Sequence, residues 1–234
     1  MIVQFHQSYG YEDFVQGIRP KTSEQGQLTY RTEPGIFKVF CDAARKSSRP
    51  FVMVIDEINR GNISRIFGEL LFLLEYRNKI VPLPYDHSDF SIPSNVYIIG
   101  TMNTTDRSLA QIDYALRRRF YFYRLLPVVN DRAPVLERAL EKLGVGLEPR
   151  SRIIRLFISL NRSIQERLGE HFQIGHSHFI RGDIGDDKVL DQVWTRAVLP
   201  LLQEYFYNSR ERESVLCEFT IDRLLNDAAS HPDA

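Results

Sequence analysis

Apolar runs that alternate with amphipathic stretches dominate the first half of the chain. Short apolar runs predict strands at residues 2–5, 51–55 and 96–101, and the last two are rich in β-branched residues. Continuous apolar runs of this kind are typical of buried parallel strands. Apolar residues at helical spacing over 36–43 and 63–74 predict two intervening helices. Strands that alternate with helices predict a parallel sheet with helices on its faces.

The pattern changes along the rest of the chain. The aromatic, irregular stretch 11–20 predicts a loop, 109–118 a short helix and 120–125 a third strand. After Pro127 only helical periodicity remains, with predicted helices at 132–143, 151–168, 189–207 and 211–228. We therefore expect an α/β half over 1–127 and an all-helical half over 128–234.

Composition narrows the class of protein without identifying it. The 234 residues include 30 basic and 30 acidic side chains, so net charge gives no support for binding to nucleic acid or membrane. The two cysteines, Cys41 and Cys217, are far apart and fit a reducing compartment. No apolar run approaches the roughly 20 residues that span a bilayer, and the first residues lack a signal-peptide pattern. We expect a cytoplasmic protein.

Two adjacent acids, Asp56 and Glu57, follow the second predicted strand. Ligands of parallel α/β sheets bind at the carboxyl ends of strands. There, one carboxylate can hold Mg²⁺ together with substrate phosphates, and its neighbour can orient or deprotonate a water for attack on phosphorus. The alternative is a strand that ends at a helix N-terminus, where the helix dipole favours acids.

Further polar residues point to the same chemistry. Asn103 follows the neighbouring strand, where a neutral amide can contact a phosphate and position water; a helix cap is the alternative. Downstream lies ALRRRF, from Ala115 to Phe120. One or two of its arginines could bind phosphoryl oxygens across a subunit boundary, although a solvated basic face at a helix end is also consistent with this run.

Three segments together closely resemble the McrB-type AAA+ NTPases, motor subunits of methylation-dependent McrBC restriction systems. They read VQFHQSYGYEDFVQGIRP, VMVIDEINRGNISRIFGELLFLLE and VYIIGTMNTTDRSLAQIDYALRRRF. The MNTTDRS block is the most specific, and the resemblance continues weakly through FQIGHSHF and LLQEYF. It implies an AAA+ core with a parallel sheet and flanking helices, followed by a helical lid.

The resemblance also implies roles for individual residues. Asp56 would be the Mg²⁺-associated acid and Glu57 the acid that activates water. Asn103 would sense the terminal phosphate, with Asp106 and Arg107 in the same loop, where they would also contact nucleotide.

Residues beyond that loop would face a neighbouring subunit or the lid. Arg118 and Arg119 stand where the family supplies arginine fingers, Arg60 would line the same interface, and His176 would be a polar lid contact to nucleotide. Family members form rings, usually hexamers. The McrB type prefers GTP and looser relatives use ATP, while a separate McrC-type subunit carries the nuclease. DNA would be engaged through the assembly.

One family element is absent from these 234 residues. The phosphate-binding P-loop, GxxxxGKS or GxxxxGKT, does not occur, and the only Lys-Thr pair, Lys21-Thr22, follows no glycine loop. We therefore expect a core without its first strand and P-loop, inactive unless an upstream segment supplies them. Two alternatives are an ATP-dependent remodelling protein of the dynein-related or MoxR-like group, and a non-hydrolytic regulatory ring subunit that has lost its P-loop.

Overall fold

The computed structural model describes residues 1–22, 26–103, 117–209 and 212–230. The chain divides into two compact units, residues 1–123 and 124–234. Each unit is built around its own hydrophobic cluster. The parallel sheet with flanking helices in the first unit and the helices of the second confirm the predicted fold class.

The first unit interleaves short strands and helices. In chain order its elements are β1 (Ile2–Gln4), α1 (Tyr11–Phe14), β2 (Gln16–Thr22), β3 (Leu28–Pro34), α2 (Ile36–Arg45), β4 (Phe51–Asp56), a 3-10 turn (Ile58–Arg60), α3 (Ile63–Phe67), α4 (Leu70–Glu75), β5 (Val81–Pro82), β6 (Asp89–Phe90) and β7 (Val96–Gly100).

A three-stranded parallel sheet in the order β1-β4-β7 organises this unit. Strand side chains alternate between faces. One face, which includes Val3, Met53 and Ile55, is buried beneath the helices. The opposite face is apolar yet between 41% and 74% exposed at Ile2, Val52, Tyr97 and Ile99. We call these four residues the open sheet face.

Three local predictions differ from the structure. Gln16–Thr22 (β2) pairs antiparallel with Leu28–Pro34 (β3), and Tyr11–Phe14 is helical, so the predicted loop over 11–20 is wrong. The helix predicted over 63–74 is broken at Gly68, whose positive φ of 50° ends α3. Residues 121–125 have no regular structure, because no neighbouring strand in the described chain pairs with them.

Helices are the main elements of the second unit, whose described residues include one isolated β-bridge, between Val129 and Arg132. Its elements are α5 (Pro134–Lys142), α6 (Leu147–Leu168), 3-10 turns at Glu170–Phe172 and His176–Phe179, α7 (Asp187–Val193), a π-helical turn (Trp194–Val198), α8 (Leu199–Tyr205), α9 (Arg212–Leu216) and α10 (Ile221–Ser230). Buried Asn161 on α6 donates to the carbonyls of Phe157 and Ile174 and accepts from the Ile174 N–H. None of the described helices is long and apolar enough to cross a membrane.

Candidate functional site

The candidate site begins where β4 ends. Asp56 is the last residue of the strand, and its backbone carbonyl accepts a hydrogen bond from the Phe5 amide at 2.9 Å. The next residue, Glu57, takes a left-handed conformation with φ of 52°. This conformation is uncommon for a residue other than glycine. It turns the chain sharply out of the sheet and places the two acids at the edge formed by the strands' carboxyl ends.

Thr101, directly after β7, contacts both acids. Its hydroxyl donates to Asp56 Oδ1 at 2.6 Å and accepts the Glu57 backbone N–H at 3.3 Å. Its backbone N–H donates to the Ile55 carbonyl, and its carbonyl accepts from the Ile58 N–H, both at 2.9 Å. The ends of β4 and β7 are therefore joined by main-chain and side-chain bonds at the same point.

Asn103 follows β7 at the same sheet edge, as the sequence predicts, and Arg60, which the resemblance assigns to a subunit interface, lies beside Glu57. The Asn103 carbonyl accepts a hydrogen bond from the side-chain amide of Asn59 at 3.2 Å. Arg60 Nε lies 3.3 Å from Glu57 Oε2, an ion pair within the 3-10 turn. The structure thus brings Asp56, Glu57, Arg60 and Asn103 together in the first unit.

The predicted arginine fingers have different surroundings. Arg118 is exposed. The Arg119 side chain is only 9% exposed, and its Nη2 lies 3.3 Å from Glu75 Oε2. Both roles remain predictions, and exposure favours Arg118 for contact with a neighbouring subunit. Asp106 and Arg107 lie outside the described residues.

His176 belongs to the second unit. It begins the 3-10 turn that ends at Phe179, whose side chain is fully buried. The His176 Nδ1 atom is buried and has no hydrogen-bond partner in the structure. An unsatisfied buried nitrogen of this kind is available to a ligand. The contact between His176 and a nucleotide remains a prediction.

The donor set at the sheet edge fits a magnesium ion bound together with nucleotide. Mg²⁺ prefers oxygen ligands and is usually held by one or two carboxylates plus substrate phosphates. Asp56 and Glu57 supply carboxylates, and the Glu57 Oε2 atom is buried beside Arg60 Nε at 3.3 Å. The described residues contain no cluster of three or more histidine, cysteine, aspartate or glutamate side chains that could hold a metal ion.

Comparison with known proteins connects this geometry to a family. Residues 1–120, just over half of the chain, match the AAA domain of the dynein-related subfamily. This chain belongs to the dynein-related AAA proteins. Within this family it is of the McrB type, because residues 152–213 match the α-helical lid domain of McrB.

Similarity to two individual proteins supports the assignment of this chain to the AAA family. It is 41% identical over 224 residues to the Type IV methyl-directed restriction enzyme EcoKMcrB subunit of Escherichia coli K12; the match covers 88% of this chain and 47% of that protein. It is 30% identical over 130 residues to the Type II restriction enzyme BsuMI component YdiS of Bacillus subtilis 168, covering 47% of this chain and 38% of YdiS. The chain spans less than half of each relative.

Sequence reasoning did not single out two residues that the structure places at this AAA site. Asn59 lies inside the DEINRGN segment and Thr101 opens TMNTTDRS, so both were within quoted motifs. Their positions after a strand were the available signal. The hydrogen bonds of Asn59 and Thr101 could not be predicted from the pattern, because each depends on where one side chain points, and its acceptor lies 44 or 45 residues away along the chain.

Proposed function

We propose that this chain supplies the catalytic acids and the lid of an NTPase that hydrolyses GTP or ATP within a ring. The ring, a hexamer in this proposal, would drive DNA translocation for a modification-dependent restriction nuclease. One observation carries the proposal: Asp56, which ends β4, and Glu57, which follows it, are hydrogen-bonded to Thr101, directly after β7, in a chain of the AAA family.

The residues would divide the chemistry of phosphoryl transfer. Glu57 would orient or deprotonate the attacking water, and Asn103 would contact the terminal phosphate. Asp56, with nucleotide phosphates, would hold Mg²⁺, which neutralises charge on the phosphoryl oxygens when bound. Arg60 already neutralises part of the Glu57 charge at 3.3 Å. Arg118 is the exposed candidate for a contact to the nucleotide of an adjacent subunit.

We also propose that a phosphate-binding strand and helix complete the first unit from outside these 234 residues. The absence of a P-loop motif from the sequence supports this. So does the open sheet face, since parallel sheets are normally covered on both faces. Within the described residues β7 pairs with β4 alone, which leaves its other edge available for a strand.

The role in restriction is supported by the relatives' names. One relative is a subunit of a methyl-directed restriction enzyme and the other a component of a Type II restriction enzyme. By this proposal the chain works with other copies and with a nuclease subunit of the McrC type, and meets DNA as part of that assembly. Its zero net charge fits DNA contact through the assembly rather than through a basic surface of its own.

The decisive experiment is nucleotide turnover, with GTP and ATP assayed separately at matched Mg²⁺. Two proteins are compared: these 234 residues, and the longest natural protein that contains them. We expect turnover from the longer protein only, because the P-loop lysine and amides hold the phosphates. Glu57→Gln should reduce that turnover by about a thousandfold or more.

A matched control is Glu137→Gln, in α5, which changes the same side chain at an exposed acid of the second unit and should leave turnover within about twofold. The preferred nucleotide then separates a GTP-using restriction motor from an ATP-using remodelling protein. Full turnover by Glu57→Gln would refute the proposed role of the acid.

A regulatory subunit is the second candidate. It is favoured by the combination of an exposed Arg118 with a sequence that contains no P-loop. In that case the chain would hydrolyse nothing itself and would stimulate an intact P-loop subunit. Stimulation by the wild-type chain that Arg118→Ala removes, together with turnover unaffected by Glu57→Gln, would establish this function instead.

A further inference from the structure

We propose that Thr101 is a positioning residue that holds both acids of the candidate site in their working arrangement. This inference rests on the proposed hydrolysis and adds a residue to it. The Thr101 hydroxyl lies between the Asp56 carboxylate, to which it donates at 2.6 Å, and the Glu57 backbone N–H, from which it accepts at 3.3 Å. One hydroxyl therefore contacts both acids, one at its side chain and the other at its backbone.

The contact to Asp56 fixes the direction of a carboxylate. Hydrogen bonds to an ionised acceptor are shorter and stronger than neutral ones, and the 2.6 Å separation falls in that range. Because Oδ1 is engaged by the hydroxyl, rotation of the Asp56 carboxylate about its last bond is restricted. A cation or a bound water then meets the same oxygen arrangement in every cycle.

The contact to Glu57 supports a strained backbone. Its φ of 52° is an uncommon conformation for glutamate, and such conformations persist only where the surroundings hold them in place. The N–H of a residue that leaves the sheet has no ladder partner, and the Thr101 hydroxyl supplies one. Loss of the hydroxyl would free the turn that aims the Glu57 side chain.

Thr101 is itself held firmly enough to act as a reference point. Its N–H donates to Ile55 and its carbonyl accepts from Ile58, both at 2.9 Å, so its backbone is bonded to the strand before the acids and to the turn after them. The hydroxyl is consequently fixed relative to β4. Mere stabilisation of a strand end would require only these main-chain bonds, which a valine at 101 would keep.

The first test uses this chain as it is and needs no nucleotide. Amide hydrogen exchange at Glu57 is measured by NMR for wild type, Thr101→Val and Thr101→Ser. Valine keeps the branched shape without the hydroxyl, and serine keeps the hydroxyl. We expect valine to accelerate exchange by about tenfold and serine to stay within about threefold. Thr29→Val, which removes a hydroxyl bonded to the Lys21 carbonyl in the hairpin, is the control. Equal exchange in the valine and serine variants would overturn the inference.

The second test is turnover by the longest natural protein that contains the chain. Thr101→Val should lower kcat by about tenfold or more with KM for nucleotide little changed, and Thr101→Ser should recover most of it. Unaltered kcat in Thr101→Val beside an inactive Glu57→Gln variant would overturn the positioning role and leave the proposed function intact. Unaltered kcat in Glu57→Gln would overturn both.

Discussion

The side-chain amide of Asn59 donates a hydrogen bond to the backbone carbonyl of Asn103 across 3.2 Å. Asn59 is 6% exposed, whereas Asn103 is exposed. The bond links the turn after β4 to the segment after β7, beyond the point where the two strands cease to pair. It holds the predicted sensor residue at a constant distance from the acids.

Replacement of this donor should destabilise the first unit. Asn59→Ala removes this donor to the Asn103 carbonyl, and because water can replace it at exposed Asn103, we expect a loss of about 0.5–1.5 kcal/mol in the free energy of unfolding, measured by urea denaturation. Gln7→Ala, at an exposed residue of the same unit, should change it by less than about 0.5 kcal/mol. Equal stability of the two variants would show that the Asn59 bond contributes nothing net.

Gly35 should be intolerant of any side chain. A Cβ at this position would lie 2.4 Å from the backbone carbon of Phe14 and 2.6 Å from the backbone nitrogen of Val15. The backbone cannot move aside as a flexible side chain can. Gly35→Ala should therefore lower the free energy of unfolding by about 3 kcal/mol or prevent folding. Gly175→Ala, whose new Cβ would have its nearest neighbour at 4.0 Å, should express and unfold like wild type. A stable Gly35→Ala protein would contradict the close approach of α2 to that backbone.

Asn161 should be essential to the helical unit. It is fully buried and makes three hydrogen bonds, two that tie α6 to the backbone at Ile174 and one to the Phe157 carbonyl within α6. Asn161→Leu leaves buried polar groups unpaired, so we expect the free energy of unfolding of this unit to fall by about 3 kcal/mol. Trp194 is the only tryptophan and lies buried in this unit, so its fluorescence during denaturation reports this unit.

The control for that variant is on the same helix. Arg155 is exposed on α6. Arg155→Ala should change the free energy of unfolding, measured from the fluorescence transition, by less than about 0.5 kcal/mol. A leucine variant that unfolds with the wild-type midpoint would mean that apolar packing fully replaces the three hydrogen bonds.

The two thiols should differ sharply in reactivity. Burial raises the pKa of the Cys41 thiol to about 12, so at pH 8 only about one Cys41 in ten thousand is the reactive thiolate. Cys217 is exposed. A thiol-reactive dye at pH 8 should therefore label one cysteine rapidly and the second only in denaturant. Cys217→Ser should abolish the rapid phase, and two rapid labels in the folded wild type would contradict the burial of Cys41.

The sequence was sufficient for the parts of the site that follow from strand position. The apolar runs predicted β4 and β7, and because parallel strands end at one edge, Asp56, Glu57 and Asn103 were expected to lie together. The helical second half followed from periodicity alone, and its identification as a lid followed from the resemblance. The family comparisons confirm the AAA core and the McrB-type lid.

Other features depend on contacts that no linear pattern contains. The β2–β3 hairpin exposes most residues on both faces, so the apolar alternation that identifies strands is weak there. Helical spacing continues across Gly68, which hides the break between α3 and α4. Residues 120–125 have strand composition, yet a strand forms only beside a pairing partner. The Thr101 hydroxyl contacts required the side-chain geometry itself.

The open sheet face also governs how the chain behaves when it is produced alone. An unpaired strand edge beside apolar side chains is a template for edge-to-edge association between identical molecules. Tyr97 and Ile99, both more than half exposed on β7, would lie at such a junction. Preparations of these residues alone would accordingly lose monomer to aggregates as concentration rises, and yield of soluble protein would report how well a completing segment covers the sheet.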